Sequence, residues 1–152
     1  MYKKQLQTDQ LNARLQAFRE SAKQSRPASG WIKTIRTTLG ISLQQLGKKL
    51  GITKQSMQEM ELREAEGSIT LNALQEAAKV MDMQLVYGFV PKDGTLDALI
   101  ERKANEAAEK IVLRASNSMK LEDQENSEIR IKKAIQERAT ILKNEVSKII
   151  WD

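Results

Sequence analysis

The stretch from Gly40 to Glu64, GISLQQLGKKLGITKQSMQEMELRE, constrains this chain more than any other. Ser42 can cap a helix in which Leu43, Leu46 and Leu50 recur at three- and four-residue intervals, so one short helix with a single apolar stripe runs to Leu50. Gly51 can take the left-handed conformation of a tight turn, Ile52 can fill the angle between two helices, and Thr53 can cap a second helix that carries Met57 and Met60 inward. Two short helices held at an angle by a glycine turn are the sequence form of a helix-turn-helix. The close spacing of apolar anchors leaves Lys54, Gln55, Ser56, Gln58 and Glu59 without a core role.

The segments around it read as further helices. Thr8 or Asp9 can cap an opening helix from about Asp9 to Ser25 with Leu11, Leu15 and Phe18 on one face. It is too short to stand alone and must pack on the central core or on a partner. The run Ser25-Arg26-Pro27-Ala28-Ser29-Gly30 is a linker, and Lys23 and Arg26 beside it suit either an arm along a DNA backbone or a solvated hinge. Trp31, Ile32, Ile35 and Leu39 predict a helix over Gly30 to Leu39 with Trp31 as a core anchor. Thr70 can cap a helix with Leu71, Leu74, Ala77, Ala78 and Met81 facing inward.

Gln84 to Val90, QLVYGFV, alternates as a short strand does, and Pro91 follows it. No second strand is evident, so the segment either pairs with another subunit or partner or lies extended across the core. Beyond Gly94, Leu96 to Ala115 carries a long amphipathic stripe, SNSMKLEDQENS is a polar loop, and Glu128 to Ile150 has near-heptad spacing of Ile131, Ile135, Leu142, Val146 and Ile149. These two helices predict an antiparallel hairpin, either completed by a second subunit or partner or folded back onto the rest. The expected architecture is mainly α: residues 1–26 as an N-terminal helix and arm, 27–94 as a helix-turn-helix domain with one short strand, and 95–152 as a C-terminal helical hairpin.

The bulk numbers restrict function by exclusion. Cysteine and histidine are both absent, so no disulfide framework, thiolate or imidazole metal site, or His-assisted nucleophile can be built. The carboxylates are scattered along helix faces without a phosphate-cradling glycine loop, which argues against an enzyme, a resident metal or a cofactor. No run approaches the ~20 apolar residues of a membrane span, and MYKKQLQTDQ lacks the apolar region of a signal peptide, so the expected location is cytoplasmic. Residues 1–94 hold 14 basic and 9 acidic side chains, whereas residues 95–152 hold 11 of each. The whole basic excess therefore lies in the part of the chain that holds the glycine turn, which suits phosphate contact through that part and protein contact through the tail.

The run LGKKLGITKQSMQEME resembles the helix-turn-helix of the XRE family of phage repressor and Cro proteins, with a small residue within the first helix (Gly47), Gly51 at the turn and branched Ile52 after it. The longer runs RPASGWIKTIRTTLGISLQQLGKKLGI and EAEGSITLNALQEAAKVMDMQLVYGFVPKD are similar to the mobile mystery protein A family, over about the first two thirds of the chain. That resemblance implies a regulator or antitoxin encoded beside a Fic-domain protein. The repressor resemblance implies DNA contacts at Lys54, Gln55, Ser56 and Gln58 and a backbone contact near Gln44. An amide such as Gln55 can both donate to and accept from adenine, Lys54 suits guanine or phosphate, and Thr53 serves as a cap or a contact. The expected partners are operator double-stranded DNA, a second copy of the chain over two half-sites, and a Fic-domain protein. One class of Fic antitoxin carries Ser or Thr followed four residues later by Glu and then Gly or Asn; Ser118 and Glu122 approach this pattern, but Asp123 departs from it.

Overall fold

A computed structural model of the chain describes residues 2–116 and 124–152, with the side chains of Tyr2 and residues 124–127 left aside. The described residues form seven α-helices and no strand: α1 (Tyr2–Gln16), α2 (Trp31–Thr38), α3 (Leu43–Leu50), α4 (Lys54–Glu66), α5 (Leu71–Val80), α6 (Leu96–Ser116) and α7 (Gln124–Glu145), with short 3-10 turns at Ser21–Lys23 and Lys148–Trp151. None of these helices is long and apolar enough to cross a membrane. The Ser118–Glu122 pattern lies outside the described residues. The chain divides into two compact units, one of Lys23–Gly88 and one of Met1–Ala22 with Phe89–Asp152.

In the Lys23–Gly88 unit, Ile32, Leu46, Met57, Ala77 and Met81 form a buried cluster on which Ile35, Leu50, Ile52 and Leu74 pack. Leu46 and Met57 are fully enclosed, and each contributes about 1.5–3 kcal/mol by leaving water. The predicted caps form: Ser42 Oγ accepts from Gln45 N while Gln45 Oε1 accepts from Ser42 N, and Thr53 and Thr70 accept from Ser56 N and Ala73 N. Each satisfies a backbone donor that the first turn of a helix leaves unpaired. Two expectations need correction. Trp31 is 47 % exposed and is no core anchor, because Ile32 and Arg36, four residues apart, occupy the inward stripe of α2. Leu71 is likewise exposed, since Ala77 and Met81 take the inner face of α5.

The strand expected over Gln84–Val90 is absent. No other described segment offers an edge for a ladder, and no described backbone-to-backbone hydrogen bond involves residues 84–90. Alternation of side chains alone cannot make a strand whose partner is missing.

In the other unit α6 and α7 pack on Ala104, Ala108, Ala139, Leu142 and Ile150, with Ile100, Ile111 and Ile135 around them. Lys143, near the end of α7, lies 3.6 Å from Glu101, near the start of α6, so the pair is antiparallel as the hairpin expectation required. The helix expected to reach Ile150 stops at Glu145. Val146 turns left-handed at φ 45°, its N–H donates to Lys143 O, Ser147 N–H reaches Leu142 O, and Ser147 caps the 3-10 turn that returns Ile150 to the core. The opening helix also differs from expectation, starting near Tyr2 and ending at Gln16. Thr8 caps nothing, because its hydroxyl donates to Lys4 O within the helix. Helix α1 meets α6, where Asn12 Oδ1 accepts from Leu96 N and Asn12 Nδ2 donates to Asp97 in the first turn of α6, which Thr95 caps. On the surface of this unit Arg102 bridges Asp93 and Glu106. Its hydrogen bonds hold both carboxyls below their ordinary pKa.

Candidate nucleic-acid interface

The geometry of the α3–α4 corner begins at Gly51. Its φ of 72° lets Gly51 N–H donate to Lys48 O and Ile52 N–H to Gly47 O, closing two of the last free carbonyls of α3. The turn then folds directly onto Gly47. A Cβ there would stand 2.9 Å from Ile52 O and 3.2 Å from Thr53 O, so the small residue within α3 is a steric requirement of the corner. Thr53 Oγ1 accepts from Ser56 N and donates to Ser56 Oγ.

Helix α4 is oriented by charge as well as by packing. Met57, Glu61 and Glu64 recur at intervals of four and three on its inner face. Glu61 is 5 % exposed and takes a bidentate bond from Arg36, with Nε to Oε2 at 2.8 Å and Nη2 to Oε1 at 3.0 Å. The remaining nitrogen, Arg36 Nη1, donates to Ile41 O in the turn after α2. Glu64, 3 % exposed, accepts from Trp31 N at 2.9 Å and Ile32 N at 2.7 Å. It thereby caps α2, which has no side-chain cap of its own, and its charge lies at the positive end of that helix. No buried polar side-chain atom among the described residues lacks a hydrogen-bond partner. Two charged contacts from one helix thus fix its angle and rotation against another.

With that face turned inward, Gln55, Glu59, Leu62 and Glu66 point outward, and Lys54 and Gln58 flank them. Lys54, Gln55 and Gln58 are exposed, and among the described residues their side chains make no hydrogen bond or ion pair. The structure therefore groups three of the expected site residues on the first two turns of α4. Ser56 is half-buried and tied to Thr53, and Thr53 is a cap. Gln44 is exposed in the first turn of α3. Lys23 ends the first 3-10 turn. Arg26 does not act as a loose arm: its guanidinium donates to Glu64 O and Ala65 O and closes the C-terminal end of α4.

The first turn of α4 holds no acidic residue, so its free N–H groups and the helix dipole present positive potential at the same end as Lys54. Glu59 and Glu66 lie further along the outward face and repel phosphate there. The arrangement can accept an anionic polymer at the tip of α4 and disfavours one along its flank. Exposed Lys48 and Lys49 in the last turn of α3, and the Arg36, Glu61 and Glu64 that orient α4, are not among the residues expected from the sequence. The signal for the latter was present: with Met57 inward, positions 61 and 64 share its face, and carboxylates there require buried partners.

No protein-family model, curated protein or solved structure matches this chain.

Proposed function

We propose that the protein is a sequence-specific double-stranded DNA-binding transcriptional regulator, in which α3 and α4 act as a helix-turn-helix and the tip of α4 enters the major groove. The observation that carries this reading is the pairing of a locked inner face with an unengaged outer tip. Arg36, Glu61 and Glu64 hold the helix, while Lys54, Gln55 and Gln58 remain available to a ligand. Gln55 reads adenine through its amide, Lys54 addresses guanine acceptors or phosphate, and Gln58 reaches one turn deeper. Gln44 donates to the phosphate backbone, and Ser56 reaches the same strand only by exchanging its bond with Thr53.

One helix tip covers few base pairs, so the protein acts as a homodimer on half-sites about one helical turn apart. By its resemblance to the mobile mystery protein A family, the operator is that of its own operon and the product is antitoxin-like toward a neighbouring Fic-domain protein. A second reading, direct neutralisation of that Fic-domain protein by binding, is favoured by one observation: α7 leaves Ile129 and Ile141 exposed, and Trp151 is exposed beyond it. Replacing Ile129 and Ile141 by Glu should abolish co-purification with the Fic-domain protein if this surface binds it, and should leave operator binding intact.

The test of the principal reading is selection of bound duplexes from a random pool, followed by footprinting on the selected site. The wild-type chain should enrich a partly palindromic sequence. Lys54→Ala with Gln55→Ala should lose that selectivity while retaining the circular-dichroism spectrum, and a double variant that protects the same site unchanged would remove the assignment.

A further inference from the structure

The segment Gln84–Val90 is where the chain passes from one compact unit to the other, and it is left unsatisfied in two ways at once. No described backbone-to-backbone hydrogen bond involves it, and Val86, Tyr87 and Phe89 are 68, 59 and 82 % exposed. Exposed apolar side chains on an unpaired backbone leave a segment able to form a ladder with an extended segment of another chain. The charges at its ends say which strand. Met83 to Pro91 carries no charge, Asp82 stands five residues before Tyr87, and Lys92 stands five residues after it. Asp82 and Lys92 are both exposed, and neither has an ion-pair partner among the described residues.

We infer that residues 84–90 pair antiparallel with the same residues of a second copy of this chain, about a twofold axis at Tyr87. This rests on the homodimer of the proposed function and names its surface. In this register Tyr87 opposes its counterpart, Leu85 opposes Phe89, Val86 opposes Gly88, and Asp82 of each copy comes toward Lys92 of the other. Leu85, Tyr87 and Phe89 then share one face, where directly opposed side chains sit about 4.5–5.5 Å apart between Cβ atoms. Shifting the register by one residue would break the symmetric Leu85–Phe89 match and separate both charge pairs. Leu85 also forms a wall of an apolar groove of about 230 Å³ with Trp31, Ile35, Leu74, Met81 and Met83. The opposing Phe89 brings a ring beside that wall, which accounts for apolar surface that the single chain leaves open on both residues.

The chain contains no cysteine, so a single introduced thiol reports its own neighbour without ambiguity. Full-length Tyr87→Cys and Val86→Cys proteins are oxidised under mild conditions and run without reductant. The register puts the two thiols of a Tyr87→Cys dimer side by side and keeps those of Val86→Cys on the other face and out of step, so crosslinked dimer from the first should exceed that from the second at least about tenfold. Equal yields, or no crosslink at position 87, would overturn the pairing. In sedimentation, Lys92→Asp should weaken self-association about tenfold or more, and adding Asp82→Asn, which tolerates the left-handed backbone at φ 57°, should recover most of that loss. An unaffected dimer in Lys92→Asp, or no recovery, would overturn the register. The same samples are assayed for duplex binding: crosslinking without DNA binding removes the functional reading alone, and DNA binding by a dimer that does not crosslink at position 87 removes this interface alone.

Discussion

The two units solve the same problem, holding helices together with few aromatic residues, by different means. The Lys23–Gly88 unit buries Ile, Leu and Met side chains and places two carboxylates on the inner face of α4, each fully bonded. The unit of α1, α6 and α7 packs on alanines, which let two long helices approach, and keeps its charged bonds at the surface. Buried charge contributes little net stability, because desolvation opposes it, but it penalises every arrangement in which the partners fail to meet. The difference therefore assigns angular precision to the unit that carries the α4 tip and leaves the other, the scaffold unit, with its charged pairs at the surface. Each unit contains one tryptophan, Trp31 or Trp151, so Trp151→Phe and Trp31→Phe backgrounds report on the two units separately.

The largest effect should come from breaking the buried contact. Glu61→Ala leaves Arg36 enclosed without its carboxylate and should cost about 3–5 kcal/mol in denaturant unfolding followed through Trp31. Arg36→Met with Glu61→Leu should recover most of that stability. A double variant as unstable as the single one would show that the charges themselves, not their mutual satisfaction, hold the unit. Gly47→Ala should cost about 1–3 kcal/mol by pushing the Ile52 and Thr53 carbonyls off α3, and it should reduce DNA affinity by more than an equally destabilising change at Leu46. In the scaffold unit the sign reverses. Val146 is a β-branched residue in a left-handed turn, so Val146→Gly should raise stability by about 1 kcal/mol as read through Trp151.

The smallest effect concerns acid. Asp93 and Glu106 are held below their ordinary pKa chiefly by their hydrogen bonds to Arg102, so the stability they add is present above the unfolded values of 3.8 and 4.5 and is lost as pH falls through the lowered folded ones. Melting of the scaffold unit should thus be flat from pH 7 to about 5 and fall below about 4, with Asp93→Asn flattening part of the acid limb.

The same contrast explains what could be read from the residues alone. Caps and glycine turns act within four or five residues, so Ser42, Thr53, Thr70 and Gly51 located their helix ends correctly. The packing stripe of α3 followed from spacing for the same reason. Signals that depend on a distant partner misled or stayed silent. Trp31 has the character of a core residue, yet its neighbour Ile32 faces the core. The alternation over Gln84–Val90 says nothing about whether an opposing strand exists. Val146 continues a heptad pattern but gives no sign that the chain reverses there, because the turn is imposed by the return of Ile150 to α6. Of the candidate site, Lys54, Gln55 and Gln58 were legible as polar positions next to inward methionines. The fate of Arg26 was not, because its acceptors, Glu64 O and Ala65 O, lie nearly forty residues further along the chain.

Groove contact by the tip of α4 is tested by the affinity of the full-length protein for its selected duplex as a function of salt, for the wild type and for Lys54→Ala and Gln55→Ala singly. If the tip of α4 lies in the major groove, Lys54→Ala should reduce the salt slope by about one where it meets phosphate, and Gln55→Ala should keep the slope and lose about 1–3 kcal/mol of discrimination at one base pair. Equal affinity, slope and base preference in all three proteins would exclude base and phosphate contact by this tip.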